Sequence, residues 1–152
     1  MPELDESTAL ARFANLLGHA SGRPADHALA VSALQWALSP EIVLHQGPYL
    51  GGILLAEEEV RKEPLHVTVV GGKDDPVSRE MMAAALRVPS AYKLVEWWDR
   101  REGPPPRGES IFPDGVRPAA YLCANGSYSS PITDARALAG RLERATAAEG
   151  SE

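Results

Sequence analysis

Apolar residues recur at three- and four-residue spacing early in the chain, and later gather into short β-branched runs. Ala9, Leu10, Phe13, Leu16, Leu17 and Ala20 share one face of a helix running from about Glu6 to Ala20, which Ser21-Gly22 stops. Pro24 suits the first turn of a second helix, with Ala30, Val31, Leu34 and Leu38 as its inner stripe and Ser39-Pro40 as its bend or end. These two elements predict an antiparallel helical hairpin over about residues 6–38. After Gly47-Pro48 a third helix is expected to run to about Lys62, burying Leu50, Ile53 and Leu54 and leaving Glu57, Glu58 and Glu59 as a solvated acidic face.

The pattern then changes period. Leu65 to Val70 is rich in β-branched residues and reads as a buried central strand. Gly71-Gly72-Lys73-Asp74 forms a turn, Asp75 suits a helix cap and Pro76 a helix start, with Val77, Met81, Ala84, Ala85 and Val88 facing inward. A strand from about Tyr92 to Trp97 completes a βαβ unit, so these two strands are expected to be parallel. Residues 99–118 carry five prolines and read as a long surface loop pinned by Ile111 and Phe112. A further strand over Ala119 to Cys123 leads through Asn125-Gly126 into a short strand near Ser127 to Ser129. Pro131-Ile132-Thr133-Asp134 then caps a terminal helix bearing Ala137, Leu138, Leu142 and Ala145. The sum is an α/β chain, read as one domain: a helical hairpin followed, over about residues 48–147, by a small, mostly parallel sheet of three to four strands with flanking helices.

Composition narrows the partners. With 21 acidic against 15 basic residues and a net charge of −6, the composition disfavours a nucleic-acid backbone as partner, and Arg100 to Arg107 reads as a solvated loop. No apolar run approaches the roughly 20 residues that span a bilayer, and the start Met1-Pro2-Glu3-Leu4-Asp5-Glu6 is acidic where a signal peptide is basic. A cytoplasmic protein without membrane or nucleic-acid partners is expected. One cysteine, Cys123, excludes an internal disulfide, and His19, His27, His45 and His66 fall at no metal-ligand spacing, so neither metal nor cofactor is expected.

Three places remain as candidates. Gly71-Gly72-Lys73 sits between a strand and a helix start, where an anion or small ligand can bind, although Asp74 and Asp75 oppose a phosphate. Cys123 and Asn125 lie at a strand end, in a polar and aromatic cluster with Tyr121 and Tyr128, and no local signature gives the thiol a base. Trp97-Trp98 points rings to both faces of a strand, so one ring needs a cover from the chain's own loop, a second copy or another protein; with Phe13 these are the interface candidates. No complete catalytic constellation is present.

The residues Ala120-Tyr121-Leu122-Cys123-Ala124-Asn125, followed by Ser130-Pro131-Ile132-Thr133-Asp134 and a helix, resemble the C-terminal end of the DUF255 proteins, the large thioredoxin-domain-containing, spermatogenesis-associated-protein-20-like chains. Val67-Thr68-Val69-Val70-Gly71 with Asp74-Asp75-Pro76 resembles their other late signature, and order and spacing agree over about residues 5–146. The resemblance implies a longer parent with a thioredoxin-like module and an α/α toroid, whose last helices would correspond to the hairpin here. Neither parental site lies in these 152 residues, and Tyr128 stands where family members carry a second cysteine. It implies a non-catalytic accessory or interaction domain, as a homodimer or with a protein partner. The alternative is a small-molecule-binding or hydrolytic enzyme with its site where Gly71-Gly72-Lys73, Trp97-Trp98 and Cys123-Ala124-Asn125 meet.

Overall fold

A computed structural model describes residues 4–46, 50–105, 112–113, 117–124 and 127–149. The chain gathers into two compact units, residues 1–64 and 65–152.

In the first unit α1 (Leu4–Ser21) ends at Gly22, whose φ of 69° favours glycine, and whose N–H donates to the Gly18 carbonyl at 2.9 Å. Pro24 starts α2 (Pro24–Ala37), and Arg23 and Asp26 pair across its first turn at 2.9 Å. Ser39-Pro40 does more than end that helix. It opens a short α3 (Pro40–Gln46), with the Ser39 carbonyl accepting from Val43 N–H at 3.0 Å. Next comes α4 (Gly51–Arg61); the expected start at Gly47-Pro48 lies outside the described residues.

The buried face of α1 is not the large apolar stripe. Ser7, Thr8, Ala11, Ala14 and Asn15 are buried, while Leu10 is 42% and Phe13 64% exposed. The reason is close approach between helices. Ala11, Ala14, Ala30, Ala37 and Ala56 are fully buried along with Asn15, and a Cβ on Gly18 would stand 3.2 Å from His27 N. Small residues let helix axes come near each other, and long side chains are then left on the rim. Polar bonds fix the same rotation: Asn15 Nδ2 donates to the Glu59 carbonyl at 2.8 Å, and Arg12 forks onto the Glu59 carboxylate at 2.7 and 2.9 Å. Glu59 is thus buried rather than part of a solvated acidic face, and of the expected α4 stripe Ile53 is buried while Leu54 is exposed.

The second unit is a four-stranded sheet in the order β2-β1-β3-β4, made of β1 (Leu65–Val70), β2 (Lys93–Trp98), β3 (Ala119–Ala124) and β4 (Ser127–Tyr128). Helices α5 (Pro76–Arg87) and α6 (Ala135–Glu149) accompany it. The α/β class holds, and β1 and β2 are parallel as the βαβ pattern demands. The sheet as a whole is not mostly parallel: β1 with β3 and β3 with β4 pair antiparallel. The connection leaving the carboxyl end of β2 brings Ala119 beside Val70, at the carboxyl end of β1. The connection thus begins and ends at the same end of the sheet, so β3 runs in the reverse direction.

Every residue of β1 is buried, as expected of its central place. Leu65, Val67 and Val69 join Met81, Ala85, Val88, Ala120, Leu138 and Leu142 in the main core, with Trp97 and Leu122 packed against it. The opposite face carries Val70, Phe112, Ala119 and Tyr121, with Trp98 and Tyr128 alongside. Both helix caps follow the sequence: Asp75 Oδ1 accepts from Val77 and Ser78 N–H at 2.8 and 3.1 Å, and Asp134 Oδ1 from Ala137 N–H at 2.8 Å. On α5, Ser78 is buried and Val77 exposed, one position away from the expected stripe.

Candidate functional site

At the carboxyl end of the parallel pair, Gly71 N–H donates to the Trp98 carbonyl at 3.1 Å and the Trp97 indole donates to the Gly71 carbonyl at 3.0 Å. At Gly71 the turn is packed too tightly for a side chain. A Cβ on Gly71 would collide with Ser78 Oγ and reach Pro118 Cβ at 3.0 Å, and one on Gly72 would reach Asp74 Oδ1 at 2.7 Å. Neither glycine has a positive φ, so close approach is what excludes a larger residue at Gly71, whereas the neighbours of Gly72 are the movable ends of the Asp74 and Arg101 side chains.

Lys73, the expected anion-facing cation, is committed elsewhere. Its backbone N–H donates to Asp99 Oδ2 at 3.1 Å, and its ammonium sits on the Glu102 carboxylate at 2.6 and 2.8 Å. Arg101 bridges two carboxylates, reaching Asp99 Oδ2 at 2.6 Å and Asp74 Oδ1 at 2.6 Å. The result is an ionic clasp that ties the turn after β1 to the single 3₁₀ turn Arg100–Glu102 after β2. The Arg101 side chain, then its backbone N–H, then that of Lys73, holds the Asp99 carboxyl far below the usual carboxylate range against the opposing effect of burial. Asp99 and then Asp74 raise Arg101 in turn, and Arg101 lowers Asp74.

These shifts carry a chemical message. A general acid or base works with a pKa near the working pH, whereas Asp99, Asp74 and Arg101 are driven further into their charged forms. The beginning of the Arg100–Arg107 stretch is therefore a fastened turn, although its arginines are exposed. A cleft of about 250 Å³ beside it is lined by Val70, Gly71, Asp99, Arg100, Arg117 and Tyr121. That is below the roughly 300–1,000 Å³ of ordinary ligand pockets.

The register separates Cys123 from this turn. His66 pairs with Cys123 and Val70 with Ala119, so Cys123 lies beside the amino end of β1. The five residue steps from His66 to Gly71 span about 16 Å. The expected meeting of Gly71-Gly72-Lys73 with Cys123-Ala124-Asn125 does not occur, because that expectation assumed a parallel β3. Asn125 lies outside the described residues. Cys123 is half-buried. Its neighbour across the ladder, His66, is buried and its Nε2 bonds Glu96 Oε2 at 2.6 Å. Sequence reading missed Glu96 because its link to His66 spans two strands.

The two tryptophans do point to opposite faces. Trp97 packs on the main core, while Trp98 lies 5.5 Å from the Phe112 ring with the Arg100 guanidinium 4.9 Å from its own ring centre. Its indole donates to the Gly103 carbonyl at 2.9 Å. The chain's own Pro-rich loop supplies the cover, with Phe112 buried as expected; Ile111 lies outside the described residues.

Phe13 is different. It stands one helical turn from Leu10 on the outward face of α1, and a groove of about 350 Å³ beside Leu10 is lined by Glu6, Ser7, Leu29, Ala33 and Trp36. Leu29 is itself 48% exposed. Leu29 and Trp36 were not among the sequence candidates, yet their seven-residue spacing on one helix already placed them on one face.

Among the described residues no helix is long and apolar enough to cross a membrane. Compared with family models, with curated proteins and with solved structures, the chain matches none.

Proposed function

We propose that this chain is a non-catalytic protein-interaction domain, related to the tail of DUF255-type proteins, which docks through the outward apolar rim of α1 and α2. The observation that carries this reading is Phe13, a full aromatic ring left 64% exposed one helical turn from the exposed Leu10, which itself lines the groove together with Leu29. Exposed apolar groups clustered around a groove are what a docking site offers and what a solitary surface avoids. The resemblance names the chemistry of the occupant. In the longer parent, helices equivalent to α1 and α2 would close an α/α toroid, so the partner presents an apolar helical face. The ionic clasp supports the non-catalytic half of the reading, since its charges are spent on holding two turns together.

Titration calorimetry tests this against the toroid part of a DUF255-type protein lacking its own tail. Binding by the wild type that Phe13→Glu abolishes, with the melting temperature unchanged, is the expected result. No heat of binding from the folded wild type sinks the proposal.

A second reading, a small-anion site in the cleft, is favoured by Arg117, an exposed cationic residue of its lining. Inorganic phosphate would then raise the melting temperature of the wild type and leave that of Arg117→Ala unmoved.

A further inference from the structure

The α/β unit has a second unoccupied surface, and its charges are arranged as a self-complementary set. A groove of about 460 Å³ runs between α5 and α6, floored by Ala83 and Ala139 and flanked by Glu80, Arg87, Arg136 and Glu143. Glu80 and Arg87 are seven residues apart on α5, and Arg136 and Glu143 are seven apart on α6, so each pair lies on one face two turns apart. Among the described residues none of the four makes an ion pair. Other charged pairs on helices of this chain, such as Arg61–Glu57 and Lys62–Glu58, close within their own helix.

The direction of the two helices gives the pattern its meaning. The first helix leaves the carboxyl end of β1 and returns to the start of the parallel β2. Ile132 bridges antiparallel to Ala120, which pairs with Val69, so α6 also starts from that end of the sheet. The two helices therefore run the same way, with the acidic residue first on α5 and the basic residue first on α6.

We infer that this face is the contact surface for a second copy of the chain, forming a two-fold dimer. A two-fold axis across the helices lays α5 antiparallel on its copy, bringing Glu80 to the partner's Arg87 and Arg136 to the partner's Glu143. An axis along the helices lays α5 on the copy's α6, bringing Glu80 to the partner's Arg136 and Arg87 to the partner's Glu143. Both pair unlike charges, and symmetry makes every pair twice. The alanine floor keeps the centre free of long side chains, so backbones approach closely. A nucleic acid or an acidic peptide is a poorer fit, because the four charges cancel. This inference stands independently of the docking role given to Phe13.

Sedimentation equilibrium over a wide concentration range, at low and high salt, is the test. The wild type is expected to dimerise, and to do so more weakly in high salt. Glu80→Arg with Glu143→Arg makes the face wholly basic and is expected to weaken the dimer at least about tenfold, roughly 1.4 kcal/mol. Adding Arg87→Glu and Arg136→Glu inverts the whole pattern and is expected to restore it in either arrangement. Circular dichroism melts show that each variant is folded, and Phe13→Glu should leave the dimer intact. A wild type that stays monomeric at the highest concentration, or a dimer indifferent to the double reversal, overturns the inference.

Discussion

The two units solve burial in opposite ways. In the α/β unit the large apolar side chains are inside, with Val67, Val69, Met81, Leu138 and Leu142 all almost fully buried. In the helical unit the innermost residues are mostly alanines, joined by Asn15, while Phe13 and Leu44 are left outside at 64% and 82% exposure. The difference lies in what sets the facing of a side chain. A strand alternates by covalent geometry, so which residues share a face is settled once the strand exists. A helix can rotate about its axis, and here close packing and the Arg12–Glu59–Asn15 bonds chose the small-residue face. Side chains excluded by that choice become the surface available to a partner.

The sharpest way to break this contrast is to truncate one large residue of the α/β core. Leu138→Ala should cost about 2–5 kcal/mol in urea unfolding, through lost burial and the cavity left behind. If it cost no more than an exposed truncation such as Phe13→Ala, the contrast would fail. The helical unit should respond to the opposite change. Ala14→Leu puts bulk where helices approach closely and should destabilise by about 1–3 kcal/mol, read in the same experiment. A neutral result would show that the interhelical space is not tight. Smaller again is Glu59→Gln, which leaves Arg12 without its full partner; because Arg12 is 39% exposed, about 1 kcal/mol is expected.

The clasp sharpens the comparison from the side of the α/β unit. Asp99 has a folded pKa held below its unfolded one, so its stabilising contribution is complete above the ordinary value of about 3.9 and is lost as pH falls towards the folded value. The stability difference between wild type and Asp99→Asn should therefore stay level through neutral and mildly acidic pH and shrink only in strong acid. A difference that instead changed near neutrality would mean that another group controls the turn.

Much of the fold was legible from residues alone. Leu65 to Val70 read as a central strand, Asp75-Pro76 as a helix start, and the pairing of β1 with β2 as parallel, because each depends on local geometry or on the handedness of one crossover. Other features depend on residues far apart in sequence. The short helix Pro40–Gln46 was missed behind a proline read as a bend or end of the preceding helix. Phe13 and Trp98 were both marked as interface candidates, but the structure treats them differently: Phe112 and Arg100 cover Trp98, and Phe13 keeps its exposure. Glu59 looked like one of three solvated carboxylates until α1 brought Arg12 to it.

The sequence by itself determined the α/β class, the places where strands and most helices begin, and the presence of a turn after β1. Those rest on side-chain shape, backbone freedom and capping, which act within a few residues. The tertiary structure alone decided that β3 runs antiparallel, separating Cys123 from Gly71 by the length of a strand. It also decided which face of α1 is buried, and that Lys73 and Arg101 spend their charges on Glu102, Asp99 and Asp74. Each of those outcomes depends on which distant segment arrives alongside, and no local pattern carries that information.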